Sequence, residues 1–134
     1  VVFKDLKGKR VVLYFYPKDD TAGCTVEACE FRDTWAAVRR AGAVVLGVSP
    51  YALAAHRKFK AKYRLPFRLL ADTDHAVAEA YGVWGEKSMY GRKYFGIHRT
   101  TFIIDASGKI GHVFEKVRPR GHAAEVLEAL RAHP

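Results

Sequence analysis

The chain has 134 residues, a formal charge of +9 and only two cysteines, a size that fits one domain able to bury a core without disulfides or structural metal. No run approaches the roughly 18 apolar residues of a membrane span. The Lys and Arg are scattered, the densest groups being Arg57, Lys58, Lys60 and Lys62, then Arg118 and Arg120, so the charge reads as a solvated surface rather than a nucleic-acid interface.

The first predicted element covers residues 11–16, an unbroken run of β-branched and aromatic residues that reads as a strand buried on both faces. Pro17 ends it, and residues 18–23 form a turn-rich loop. From Cys24 the apolar positions Ala28, Phe31, Trp35 and Val38 recur at helical intervals, with Gly42 placed as the C-terminal stop. A second apolar strand covers 43–48. Ser49 and Pro50 then read as N-cap and first-turn proline of a helix over 51–63, with Leu53, His56, Phe59 and Tyr63 inward. Pro66 precedes a short strand over 67–70, and Asp72 and Asp74 stand where a short helix over 75–81 needs caps.

Residues 82–98 lose periodicity and read as a long glycine- and aromatic-rich loop, a length that points to function in a compact domain. A strand over 100–104, a turn from Asp105 to Gly108 and a partner strand over 109–114 make a hairpin, and a helix over 122–131 closes the chain. The order β-α-β-α-β-α-β-β-α, without repeat or linker, predicts one α/β domain with a mixed sheet.

Two cysteines five positions apart are too few and too close to staple a secreted domain, which favours a reducing, cytoplasmic compartment. The complete lack of Asn and Gln fits a thermophilic source or a biased genome alike. Cys24 stands at a predicted helix start, where free amides and the helix dipole stabilise a thiolate. The site would lie at the C-terminal end of a strand, the usual place in open α/β sheets. A helix separates Cys24 from Cys29 by about 7.5 Å of rise and about 140° of rotation, or about 8.7 Å between Cα atoms. A disulfide spans no more than about 7 Å, so pairing requires the helix to unwind. Cys29 as a plain core residue remains open at this point. A zinc site is disfavoured, because C-x4-C has no second ligand pair and the six His are dispersed. The C-x-x-C spacing of a disulfide oxidoreductase is also absent.

The stretch Tyr14-Phe-Tyr-Pro17-Lys-Asp-Asp-Thr21-Ala-Gly-Cys24-Thr-Val-Glu27-Ala-Cys29 resembles the peroxiredoxin signature P-x-x-x-T-x-x-C, in the form of the PrxQ or bacterioferritin comigratory protein subgroup. The resemblance continues through Leu46-Gly-Val-Ser49, Tyr81-Gly-Val-Trp-Gly-Glu-Lys87, Gly96-Ile-His-Arg99-Thr-Thr-Phe-Ile-Ile-Asp105 and Gly108-Lys-Ile. It implies a thioredoxin-like fold and reduction of hydroperoxides by a peroxidatic cysteine, matched by Cys24, with Cys29 matching the resolving cysteine. It also implies that Thr21 hydrogen-bonds thiolate and peroxide, that Pro17 shields the site from water, that Arg99 stabilises the thiolate and the departing oxygen, and that Glu27 orients this arginine. No cofactor or metal is implied. The implied reductant is thioredoxin or a similar dithiol, and the subgroup is often monomeric. A thioredoxin-fold disulfide oxidoreductase is the alternative enzyme.

Read singly, Thr21 is a helix cap, Arg99 a surface charge, Glu27 a partner of the helix dipole and Pro17 turn punctuation; their joint spacing favours the site. Trp84 and the histidines read as packing or satisfied side chains. Two departures stand out: an N-terminal segment, often a hairpin, is expected before the position of Val1, and Ala22 stands where proline is usual.

Overall fold

The computed structural model describes residues 8–133, so the expectation about a segment preceding Val1 lies outside the described residues. In chain order the elements are β1 (Arg10–Phe15), α1 (Ala22–Arg40), β2 (Ala43–Ser49), α2 (Leu53–Tyr63), β3 (Arg68–Ala71), α3 (Ala76–Ala80), β4 (Trp84–Met89), β5 (Arg92–Ile97), β6 (Thr100–Ile104), β7 (Ile110–Phe114) and α4 (His122–Ala132). Five strands form one sheet in the order β3-β2-β1-β6-β7, with β1, β2 and β3 parallel and β6 and β7 antiparallel to their neighbours. The expected thioredoxin-like mixed sheet is therefore present.

β1 is central because both its faces are apolar. Its alternate residues separate into two cores, as the two-residue period of a strand requires. Val12, Tyr14 and Tyr16 join Phe31 and Val38 of α1, Phe59 of α2 and Val126 and Leu130 of α4. Val11, Leu13 and Phe15 face the other way, towards Ala78 of α3, Ile97 of β5 and Phe102 of β6. Gly47 lets the sheet and Tyr14 meet: a Cβ there would lie 2.8 Å from Leu69 Cδ2 and 2.9 Å from Tyr14 Cζ.

Three local expectations need correction. Residues 82–98 are not a loop but hold the separate hairpin β4–β5, whose two-residue turn Tyr90-Gly91 has φ of 53° and 78°. Positive φ at both central positions is the turn geometry that matches strand twist. The alternation that marks a half-buried strand is missing because Gly85 and Gly96 are cross-strand partners, and each leaves room for a neighbouring side chain. A Cβ on Gly85 would meet His98 Nε2 at 3.0 Å, and one on Gly96 would meet Lys87 Cδ at 3.3 Å.

Second, Ser49 does not cap α2. It ends β2 as a buried residue, and Ala52 takes the N-cap position, so pairing of Ser49 with Ala71 outweighs its capping preference. Third, Leu53 is exposed rather than inward, whereas His56 and Phe59 are buried as expected. The caps of α3 follow the reading: Asp72 accepts from the amides of Val77 and Ala78, and Asp74 from that of Ala76. Gly42 follows α1 with a φ of 79°.

Candidate active site

The site forms where the end of β1 meets the start of β6. Pairing of Phe15 with Thr100 brings Arg99 beside the loop that leads from β1 into α1. Thr21 holds the extended N-cap conformation of α1 but makes no side-chain cap; its hydroxyl donates instead to the Lys18 carbonyl at 2.9 Å. The first helical bond runs from the Thr25 amide to the Thr21 carbonyl at 2.8 Å. The amides of Ala22, Gly23 and Cys24 are consequently left without helical acceptors, at the positive end of the helix dipole.

Cys24 lies in this first turn and is 1% exposed. Its Sγ accepts from Arg99 Nη2 at 3.2 Å, while Arg99 Nη1 donates to Glu27 Oε1 at 2.8 Å. Cys24 and Glu27 are three positions apart, so one turn of α1 presents both to the same guanidinium. A planar fork with several donors can serve both acceptors at fixed geometry, which an ammonium cannot. Gly23 permits the approach: a Cβ there would lie 3.3 Å from Arg99 Nη2 and 3.4 Å from Pro119 Cγ. Pro17 is partly buried at the start of the loop.

The charges respond to burial and to each other. Burial opposes the Arg99 charge, yet Glu27 and Cys24 outweigh it and hold its pKa above the usual value. Burial pushes the Glu27 carboxyl up to about 7 against the pull of Arg99. Glu27 Oε2 and the Tyr14 hydroxyl are buried and lack hydrogen-bond partners among the described residues. Burial, then the charges of Glu27 and Cys24, raises the Tyr14 pKa well above its ordinary value.

The structure thus gathers Cys24, Glu27 and Arg99 into direct contact and sets Thr21 and Pro17 in the adjoining loop. Cys29 is partly buried further along the same unbroken helix, and both thiols are free. Two neighbours were not singled out in the sequence. Lys87 donates to the Ile97 carbonyl at 2.8 Å with its stem lying against Gly96; burial and Arg99 lower its pKa while Cys24 opposes them. Tyr14 is the other, and the position of each depends on tertiary packing that spacing does not reveal. Trp84 packs as expected, stacked on His75 with ring centroids 3.9 Å apart.

The fold recurs in solved proteins. PrxQ of Xylella fastidiosa superposes with a TM-score of 0.95 at 38% identity, covering 99% of this chain and 82% of that one. A bacterioferritin comigratory protein of Xanthomonas campestris, solved in trapped intermediate and ligand complexes bearing on its alkyl peroxide reduction activity, superposes with a TM-score of 0.94 at 40% identity, covering 99% and 85%. The class is therefore that of thiol peroxidases with a thioredoxin-like fold.

Sequence comparison narrows the class. The AhpC/TSA family profile matches residues 1–113, and the chain belongs to that family. It is 58% identical to the putative peroxiredoxin bcp of Coxiella burnetii over 126 residues, 94% of this chain and 83% of the relative. It is 49% identical to peroxiredoxin Bcp of Bacillus subtilis over 131 residues, 98% of this chain and 83% of the relative. Among the described residues, no helix is long and apolar enough to cross a membrane.

Proposed function

We propose that Cys24 is the peroxidatic nucleophile of this thiol peroxidase and Cys29 its resolving thiol. The observation that carries this is the Arg99 guanidinium held between Cys24 Sγ, at 3.2 Å, and the buried Glu27 carboxylate, at 2.8 Å. The Cys24 thiolate attacks one peroxide oxygen as the O–O bond breaks, and the other oxygen departs as hydroxide or alkoxide and takes up a proton. Charge develops on both oxygens, and Arg99 with the amides of Ala22, Gly23 and Cys24 supplies donors beside them. Thr21 directs its proton to Lys18, which leaves an oxygen lone pair to accept from the peroxide hydroxyl. Pro17 limits water at the loop edge.

The product is sulfenic acid on Cys24, which condenses with the Cys29 thiol to a disulfide and water. Because both residues lie on α1, its first turns unwind for that step. An external dithiol, thioredoxin or a similar protein, then reduces the disulfide and is itself oxidised. The alkyl peroxide reduction activity described for the Xanthomonas relative supports organic hydroperoxides as substrates beside hydrogen peroxide. Two free thiols suit a reducing cytoplasm, and one sheet with its two cores is complete in a monomer.

The test is peroxide consumption coupled to thioredoxin, with mass spectrometry after one equivalent of peroxide. Cys24→Ser abolishes consumption, and Cys29→Ser retains a single turnover but is not recycled. Full turnover by Cys24→Ser would remove the assignment, and disulfide reduction of insulin without peroxide chemistry would favour a disulfide oxidoreductase.

A further inference from the structure

A second polar network lies behind the site and has no part in the sulfur chemistry above. Asp19, in the loop between β1 and α1, turns its side chain inward; it is 7% exposed, and the side chain of its partner His56 on α2 is 2% exposed. Asp19 Oδ1 accepts from the Tyr16 hydroxyl at 2.6 Å, and Oδ2 faces His56 Nδ1 at 2.5 Å. His56 Nε2 lies 3.0 Å from the carbonyl oxygen of Leu70 in β3. A carbonyl can only accept, so Nε2 carries a proton, and the contact between Nδ1 and the carboxylate requires another. The end of the β1 segment, the loop, α2 and β3 are thereby joined through the Asp19–His56 pair. The next residue repeats the attachment: Asp20, at a φ of 57°, accepts from Lys62 Nζ and from the Tyr63 hydroxyl, each at 2.7 Å.

Stability alone does not account for this choice. A buried ionisable pair is often no better than apolar side chains of similar volume, since desolvation offsets the attraction. What the pair does supply is fixed geometry for the loop that bears Pro17 and Thr21, each two positions from Asp19. We propose that His56 is a positioning residue for the peroxidase reaction: acting through Asp19, it fastens the 17–21 loop to α2, so that Thr21 and the first turn of α1 hold Cys24 against Arg99. This rests on the assignment of Cys24 above. The fastening ends at Asp20, so the unwinding that brings Cys24 to Cys29 starts beyond it, and the helix recloses from a fixed edge.

Asp19→Asn gives a discriminating variant. Its amide nitrogen can donate to Nδ1 of a neutral His56 while its oxygen still accepts from Tyr16, so the geometry survives without the charge. Asp19→Ala and His56→Ala break it. The measurement is the second-order rate of Cys24 oxidation by hydrogen peroxide in a single turnover, with thermal unfolding of the same samples. Leu130→Ala serves as a destabilised control, since it empties a core position on α4 far from the loop.

Both alanine variants at Asp19 and His56 are expected to lose about tenfold in rate, the scale of a small misplacement of reacting groups. Asp19→Asn is expected to stay within about threefold of the unmodified protein, and Leu130→Ala to keep its rate. Unmodified rates in the alanine variants overturn the proposal, as does a loss in Asp19→Asn as large as in Asp19→Ala, or an equal loss in Leu130→Ala. If His56→Ala does not fold, the two Asp19 variants decide the matter. If the unmodified protein itself consumes no peroxide, the assignment of Cys24 fails instead.

Discussion

Replacing Glu27 by Gln removes the buried charge beside Arg99 while keeping the shape of the side chain. The folded protein holds this carboxyl at about 7 rather than 4.5, because burial outweighs the attraction of Arg99. A raised carboxyl stabilises the fold fully below its unfolded value, and that contribution is lost as pH rises through the folded value. Glu27 has a fully buried side chain, so solvent screening calls for no discount. Between about pH 5 and about pH 8 the loss is on the order of 2–3 kcal/mol. His122 opposes it: burial lowers that pKa, so its contribution is present above 6.5 and lost as pH falls.

Because the two groups act with opposite sign in overlapping windows, the pH dependence of the unmodified protein alone does not isolate Glu27. The difference between Glu27→Gln and the unmodified protein does, since His122 is common to both. Urea unfolding at a series of pH values is therefore expected to show the variant gaining on the order of 2–3 kcal/mol relative to the unmodified protein over that range. A difference that stays flat within about 0.5 kcal/mol would refute a burial-raised Glu27 and mean that Arg99 keeps it ionised throughout.

Arg99→Lys leaves one compact cation in place of the fork that spans Cys24 and Glu27, and the rate of Cys24 oxidation is expected to fall about 10- to 100-fold in stopped-flow assays with little change in folding. Gly47→Ala forces a Cβ into contacts of 2.8 and 2.9 Å with Leu69 and Tyr14, so chemical denaturation should show a loss of about 1–3 kcal/mol. Gly23→Ala presses on Arg99 Nη2 at 3.3 Å and should slow peroxide consumption while leaving the unfolding midpoint at or above that of the unmodified protein.

Much of the sheet was legible because its strands are written in the plainest pattern: Val11 to Phe15 and Ala43 to Val48 are apolar at every position, as burial on both faces demands. The hairpin was not legible, because Gly85 and Gly96 face each other across it and its strands and turn leave Met89, Phe95 and Tyr90 exposed, which hides any apolar–polar alternation. Ser49 illustrates a preference overridden by pairing: the same residue that favours a helix start is retained by the strand ladder opposite Ala71. At the candidate site, Cys24 was readable from its place at a helix start, whereas Glu27 and Arg99, read singly as a partner of the helix dipole and a surface charge, were drawn to it only by the family resemblance. Lys87 and Tyr14 were not, because a lysine on a hairpin and a tyrosine in an apolar strand have no local mark until the sheet folds. Asp19 resembled an ordinary loop acid for the same reason, and His56 showed only a place on the inner face of its helix.

The contact between Cys24 and Arg99 joins residues 75 positions apart, and it exists only when β6 lies antiparallel beside β1. Contacts of such separation close late, after the local helices and turns have formed. A nascent chain that has emerged only as far as α3 therefore contains the cysteine and its helix but not the guanidinium that contacts it. The pairing of this thiol with a cation is thus a product of the completed sheet, absent for as long as β6 has not been made.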